Sequence, residues 1–282
     1  MKIKPGFIVI LGFLLSGTKA FAQNPDFYIF LCFGQSNMEG SARFEAQDTT
    51  VDNRFQVLET IDCPNLGRTR GTWYPAVPPL CRCHSGMSPA DYFGRTMVAY
   101  LPKNIRVGVI NVSIGGCKIE LFDKDNYQSY IATAPPWMMN MINEYEGNPY
   151  GRLVDMAILA QKDGIIKGIL LHQGESNEHD TLWPQKVKVV YDNLMKDLDL
   201  KPDSVPLLAG EVVNADQGGV CASVNAIIAT LPQTIVNSYV IPSNGCPDGP
   251  DNLHFSAEGY RMLGKRYAVK MLAILGYEII AP

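Results

Sequence analysis

Five short apolar runs recur along the chain: Phe27–Phe33 (FYIFLCF), Ile105–Val112 (IRVGVINV), Ile165–Leu171 (IIKGILL), Val205–Val213 (VPLLAGEVV) and Thr234–Ile241 (TIVNSYVI). Each is rich in β-branched or aromatic residues and shows little alternation of polar and apolar positions. Such runs are expected of strands buried on both faces, which favours a parallel sheet covered by helices. The intervals between them carry helical spacing. Ser88-Pro89-Ala90-Asp91 has the form of an N-cap, a first-turn proline and an acid at the third position, followed by Tyr92, Phe93, Met97 and Val98 on one face. Helices are also predicted over Leu153–Gln161, over Gln185–Leu198 with Val187, Val190, Tyr191, Leu194 and Leu198 on its stripe, and, more weakly, over Ala222–Leu231. Ser256 is placed to cap a last helix bearing Tyr260, Leu263, Tyr267, Met271 and Leu275. Alternating strands and helices predict an α/β fold, a three-layer α/β/α sandwich with about five parallel strands. Two long stretches, residues 41–87 and 117–150, read as irregular. They follow the first two strand ends and are placed to wall a groove.

Residues 1–22 have the pattern of an export signal. Lys2 and Lys4 precede an apolar stretch from Phe7 to Leu15, and Ala20-Phe21-Ala22 fits a small-x-small cleavage site. An uncleaved anchor is the alternative. On the first reading, residues 23–282 form a single domain that is exported to the periplasm or secreted. Cleavage would remove Lys2, Lys4 and Lys19 and no acid, taking the formal charge from −4 to −7. A mildly acidic chain without clustered Lys and Arg is a poor nucleic-acid binder. No later segment is long and apolar enough to span a bilayer as a helix. Of the 7 cysteines, Cys63, Cys81, Cys83, Cys221 and Cys246 lie in polar or Gly/Pro-rich stretches where pairing is possible. Cys32, inside the first apolar run, is expected to be a small buried side chain.

The chemistry is concentrated where apolar runs end. Gly34-Gln35-Ser36-Asn37-Met38 closes the first, Ser113-Ile114-Gly115-Gly116 the second and His172-Gln173-Gly174-Glu175-Ser176-Asn177 the third, while Asp251-Asn252-Leu253-His254 lies near the C-terminus. Open α/β sheets bind ligands beyond the carboxyl ends of their strands, so these segments should share one edge. Ser36, His254 and Asp251 supply a hydroxyl, a base and a carboxylate to orient that base. Ser36 taken alone is equally an N-cap residue, and Asp248 is a rival to Asp251. Only 4 histidines are present, which narrows the choice of base. Donors for an oxyanion are expected from the N–H of Ser36, the N–H of Gly115 and the side-chain amide of Gln173. Glu175 is left between three roles: orienting His254, holding its own loop, or meeting sugar hydroxyls. Gln35 and Asn37 are further substrate-contact candidates. His172, Glu175 and His179 can be drawn as a zinc site, and Cys81-Arg82-Cys83-His84 has a metal-like look, but neither has the spacing of a known zinc motif. No glycine-rich nucleotide loop is present.

Taken together, these four motifs resemble the SGNH/GDSL-type serine esterases. More closely, they resemble the sialate O-acetylesterase-like branch that includes carbohydrate esterase family six acetylxylan esterases, over about residues 27–275. The resemblance implies a flavodoxin-like sandwich and metal-independent removal of acetyl groups from an oligo- or polysaccharide, without a cofactor. It implies Ser36 as nucleophile, His254 as base, Asp251 as its orienter and Gly115 as the second oxyanion donor. The broader superfamily takes its third donor from an asparagine; here Gln173 is the expected substitute. The alternative is a carbohydrate-binding protein without catalysis, using Trp73, Tyr74 and Trp137 as stacking platforms.

Overall fold

The computed structural model describes residues 23–277 and Ile279. The export signal expected over residues 1–22 lies outside them. All five apolar runs form strands: β1 (Phe27–Gly34), β4 (Arg106–Ser113), β5 (Ile165–His172), β6 (Leu207–Gly210) and β7 (Ser238–Ile241). Two more come from the stretch read as irregular, β2 (Phe55–Leu58) and β3 (Trp73–Pro75). The sheet therefore has seven strands rather than about five, in the order β3-β2-β4-β1-β5-β6-β7. All neighbours are parallel except β2 and β3. The five long-predicted strands run β4-β1-β5-β6-β7, the flavodoxin order; β2 and β3 extend it beyond β4. β3 is three residues long and ends in a proline, as befits an edge strand that need not donate on its outer side.

Side chains of β1 alternate between two cores. Ile29, Leu31 and Phe33 pack with Leu153, Ala157, Val187, Val190 and Leu194, from helices Pro149–Ala160 and Trp183–Asp197. Phe30 and Cys32 face the other way, toward Phe93 and Met97 of helix Pro89–Tyr100 and Leu263, Tyr267 and Met271 of helix Ala257–Ile274. Phe30 meets Phe93 edge to face at 4.8 Å, a geometry worth about 1 kcal/mol beyond the area buried. The caps read from the sequence are present. The Ser88 N–H donates to Asp91 Oδ2 at 2.8 Å, and the Gly259 N–H donates to Ser256 Oγ at 3.2 Å. Residues 117–150 are more ordered than expected, with short helices at Tyr127–Ile131 and Pro136–Glu144. Only Met138 and Ile142 of the second are buried, too few to make an apolar stripe readable from sequence.

From β1 the chain crosses to β2 and β3 at one edge, comes back to β4 beside β1, then passes across β1 to β5 and builds outward on the other side. β1 is thus the point where the strand order reverses, and a crevice forms beyond its carboxyl end. Gly34 makes that close junction possible. Its φ is +152°, and a Cβ there would lie 2.1 Å from the carbonyl oxygen of His172 at the end of β5.

Candidate active site

The crevice is a pocket of about 420 Å³ whose lining includes Gln35, Ser36, Gly115, Gly116, Glu175 and His254. Ser36 opens a four-residue helix, Ser36–Glu39, directly after β1. His254 arrives from the other end of the chain on a tight turn. The Leu253 and His254 N–H groups donate to Asp251 Oδ1 at 3.1 and 3.0 Å, and the Gly249 N–H donates to the His254 carbonyl at 2.6 Å. Asn252 makes this turn in the left-handed region, at φ 54°.

His254 Nε2 lies 2.8 Å from Ser36 Oγ, and Nδ1 lies 2.6 Å from Asp251 Oδ2. The two ring nitrogens are thus engaged by a carboxylate on one side and a hydroxyl on the other. Partial burial on its own would raise the Asp251 pKa, but hydrogen bonds from the His254 backbone and ring and from the Leu253 N–H hold it down at about 2. Asp251 is therefore charged at any pH near neutrality. Asp248, the rival carboxylate, pairs across a bridge with Phe255 and does not meet the imidazole.

Asn37 does not face the pocket. It is fully buried and uses both ends of its amide. Nδ2 donates to Glu175 Oε1 at 2.5 Å and to the Leu253 carbonyl at 3.1 Å; Oδ1 accepts from the Phe255 N–H at 3.3 Å and the Tyr260 hydroxyl at 2.6 Å. It thereby fastens the residues on either side of His254 to the Ser36 helix. Substrate contact is the wrong description of it, because no donor or acceptor is left over. Glu175 holds the far end of this link while lining the pocket, and its Oε2 has no partner among the described residues. Burial is the main cause that raises its pKa.

Behind Glu175 lies His172, fully buried, with Nε2 unpartnered and 4.0 Å from Glu175 Oε1. Burial drives its pKa from the ordinary 6.5 to about 3. The folded protein thus refuses a proton that the unfolded chain accepts below pH 6.5, so this contribution to stability is present above 6.5 and lost as pH falls toward 3. Relative to a His172→Asn variant, the wild type should lose on the order of 3–5 kcal/mol between pH 7 and pH 3. Urea unfolding of both proteins across that range measures it; a difference constant with pH would contradict it.

The expected oxyanion donors need correction in two places. The Gly115 N–H is not free: it donates to Glu39 Oε2 at 2.6 Å. The next N–H, of Gly116, meets no acceptor among the described residues, and Gly116 lines the pocket. Gly116 takes a left-handed φ of +69°, and a Cβ there would lie 2.7 Å from the ring of Trp137, so glycine is needed on both counts. Gln173 is also turned away. Its Nε2 is surrounded by Asn177 Oδ1 at 2.7 Å, Gln35 Oε1 at 3.1 Å and the Cys117 carbonyl at 3.3 Å, while its Oε1 accepts from Trp183 Nε1. The amide that does reach the pocket is that of Gln35. Its Oε1 accepts from Gln173 Nε2, from the Ser176 N–H at 3.2 Å and from the Gly174 N–H at 3.5 Å, which fixes the orientation of the amide. Its Nε2 donates to no acceptor among the described residues, and Gln35 lines the pocket. The Ser36 N–H is likewise without an acceptor among the described residues.

Other sequence candidates fall elsewhere. Trp73 donates to Asp163 and packs against Phe27, and Tyr74 pairs with Val57 on the edge hairpin, so neither borders the crevice. Trp137 packs beside Gly116, one of the lining residues, and is 54% exposed. His172 is buried, whereas the His179 side chain is 81% exposed, so the drawn zinc triad is not assembled. Cys83 is bonded to Cys63 rather than held for a metal, and Cys32 is buried as expected.

A doubly wound sheet with a serine, a histidine and an aspartate in hydrogen-bonded sequence at its carboxyl edge has the form of an SGNH-type carboxylic ester hydrolase. The model of one esterase family, described as carbohydrate esterase, sialic acid-specific acetylesterase, matches residues 26–273, and the chain belongs to that family. It is a carbohydrate O-acetylesterase, which sets aside the reading as a binding protein without catalysis. Solved structures share the fold. A protein from Arabidopsis thaliana superposes with a TM-score of 0.67 at 22% identity, covering 89% of this chain and 99% of its own. NanS gives 0.63 at 15% identity, covering 89% and 98%. A carbohydrate acetylesterase from Xanthomonas citri gives 0.60 at 15% identity, with 89% of this chain matched to 57% of that longer one. Among the described residues no helix is long and apolar enough to cross a membrane.

Proposed function

We propose that this esterase works through an acetyl-enzyme on Ser36. Ser36 Oγ attacks the acetyl carbonyl of a sugar ester while His254 Nε2 takes its proton, and charged Asp251 keeps the imidazole oriented and stabilises the imidazolium. The tetrahedral oxyanion is held by the Ser36 N–H, the Gly116 N–H and Gln35 Nε2. His254 then protonates the departing sugar hydroxyl. A water, activated by the same imidazole, releases acetate and restores Ser36. The observation that carries this reading is the unbroken path from Asp251 Oδ2 through His254 to Ser36 Oγ, at 2.6 and 2.8 Å.

The substrate is an O-acetylated glycan of the acetylxylan or sialate type. Two features favour a large, solvated substrate. The Asp251 side chain is 49% exposed at the site's rim, and Trp137 offers an exposed ring beside Gly116 on which a sugar face would stack. An exported single domain, residues 23–282 after loss of a 1–22 signal, fits that substrate, and the Cys63–Cys83 disulfide suits an oxidising compartment. Acetate release from a panel of acetylated xylan, acetylated oligosaccharides and O-acetyl sialic acids, with Ser36→Ala as the blank, tests the substrate class. Hydrolysis of aryl acetates with none of these glycans turned over would contradict it.

The donor assignment has its own test. Gln35→Ala should lower kcat for p-nitrophenyl acetate by roughly 10²–10³-fold with KM little changed. A loss confined to KM would make Gln35 a substrate-binding residue instead.

A further inference from the structure

The oxyanion corner contains a carboxylate that the reaction does not use. Glu39 ends the Ser36 helix and is 8% exposed. While Oε2 accepts the Gly115 N–H, Oε1 accepts two donors of Arg82, Nη2 at 2.5 Å and Nε at 3.1 Å. A Cβ built on Gly115 would lie 3.1 Å from Glu39 Oε2 and 3.7 Å from Ser36 Cβ, so the carboxylate oxygen and the nucleophile's own carbon flank the same point and are at most about 7 Å apart. An acyl transfer develops a second negative charge at this point. Two like charges that close, in a site partly shielded from water, would slow the step by roughly 10- to 100-fold unless something compensates.

Arg82 is built in to do so. Its side chain is 15% exposed; burial works against its charge, but Glu39 outweighs that and raises its pKa. Its segment is fastened on both sides. The preceding Cys81 thiol donates to the Ser113 carbonyl at 3.7 Å, on the same corner as Gly115, and the following Cys83 is bonded to Cys63. Arg82 Nη1 also meets Glu144 at 2.6 Å, but that carboxylate is 38% exposed and solvent screens it.

We propose that Arg82 is a positioning residue for this esterase: it neutralises Glu39, so that Glu39 clamps the Gly115 N–H and leaves the Gly116 N–H to the pocket without repelling the oxyanion. This rests on Ser36 being the nucleophile. It assigns the electrostatic cost of the clamp to one removable charge, which a double-mutant cycle isolates.

The experiment is steady-state hydrolysis of p-nitrophenyl acetate by Arg82→Ala, Glu39→Gln and the double variant, with melting temperatures recorded alongside. Arg82→Ala should lose roughly 10- to 100-fold in kcat with KM nearly unchanged, because it leaves the carboxylate uncompensated. Glu39→Gln carries no charge but turns an amide N–H onto either the Arg82 guanidinium or the Gly115 N–H, so by itself it is not the reference of the cycle. The double variant, which removes the repelling charge and the donor–donor contact together, should recover most of the kcat lost in Arg82→Ala. Arg82→Lys, which keeps the charge, should retain most activity. If Arg82→Ala fails to fold, Arg82→Gln takes its place in the cycle. A double variant no faster than the Arg82 variant alone, or an Arg82 variant with wild-type kcat, would overturn the proposal. A Ser36→Ala protein run in parallel separates the two claims: if it is inactive and the cycle shows no coupling, only the role of Arg82 fails; if it is active, the nucleophile assignment itself fails.

Discussion

Ser36→Ala is expected to lower kcat for p-nitrophenyl acetate by roughly 10⁴–10⁶-fold, the loss typical of removing a nucleophile whose partners act as a unit with it. The fold should survive. Among the described residues the Ser36 hydroxyl meets only His254, and the hydrogen bonds that close the helix and tie its start to the end of β5 run through backbone atoms of Gln35 and Ser36. Residual rate is expected, because the Gly116 N–H and Gln35 amide would still polarise an acetyl carbonyl for attack by water. The measurement is turnover at matched concentrations of folded protein, with the melting temperature as control. A variant that melts like wild type and keeps its rate would contradict the assignment.

Asp251→Asn carries the second-largest expected loss, roughly 10²–10⁴-fold in kcat with little change in KM. The substitution preserves shape but exchanges the acceptor that fixes the His254 Nδ1 proton for an amide able to present a donor, and it removes the charge that stabilises the imidazolium. The lower end of the range reflects exposure: the Asp251 side chain is half open to water, which replaces part of what it supplies. Because Asp251 also gathers the Leu253 and His254 N–H groups, the amide oxygen of asparagine must keep the turn, and it has the geometry to do so. Kinetics below neutral pH should show no inflection from Asp251, whose pKa of about 2 lies under the working range. A loss of less than about threefold would reduce the working set to Ser36 and His254.

Much of this arrangement was legible in the chain because strand burial and strand-end chemistry leave local signatures. Unbroken apolar runs marked all five strands of the flavodoxin-order core, and the Ser88 and Ser256 caps marked the two helices that share one face. Convergence of Ser36 with Asp251 and His254 followed from placing motifs at strand ends. What was not legible was direction. A motif locates a residue, while the aim of its amide depends on partners far away in sequence. Gln173 and Gln35 are adjacent in space but 138 positions apart, and the N–H groups of Gly174 and Ser176 decide which of the two faces the pocket. Gly115 and Gly116 are neighbours in one turn, and only the carboxylate of Glu39 separates an occupied N–H from a free one. Asn37 reads as a ligand contact because it flanks the serine, yet four hydrogen-bond partners consume it. The strands β2 and β3 escaped notice because four and three residues are too few to display a period. Arg82 was hidden inside a Cys-x-Cys-His sequence whose cysteines drew attention to metals, whereas one is buried and the other is in a disulfide.

The most direct test is covalent capture of the nucleophile. The intact protein, treated with a fluorophosphonate and digested for peptide mass mapping, should carry one adduct per chain, on the peptide containing Ser36, with labelling slowed by His254→Ala and abolished by Ser36→Ala. An adduct on another residue, or an unlabelled Ser36 in a preparation whose esterase activity the reagent destroys, would show that the hydroxyl after β1 is not the group that takes the acetyl.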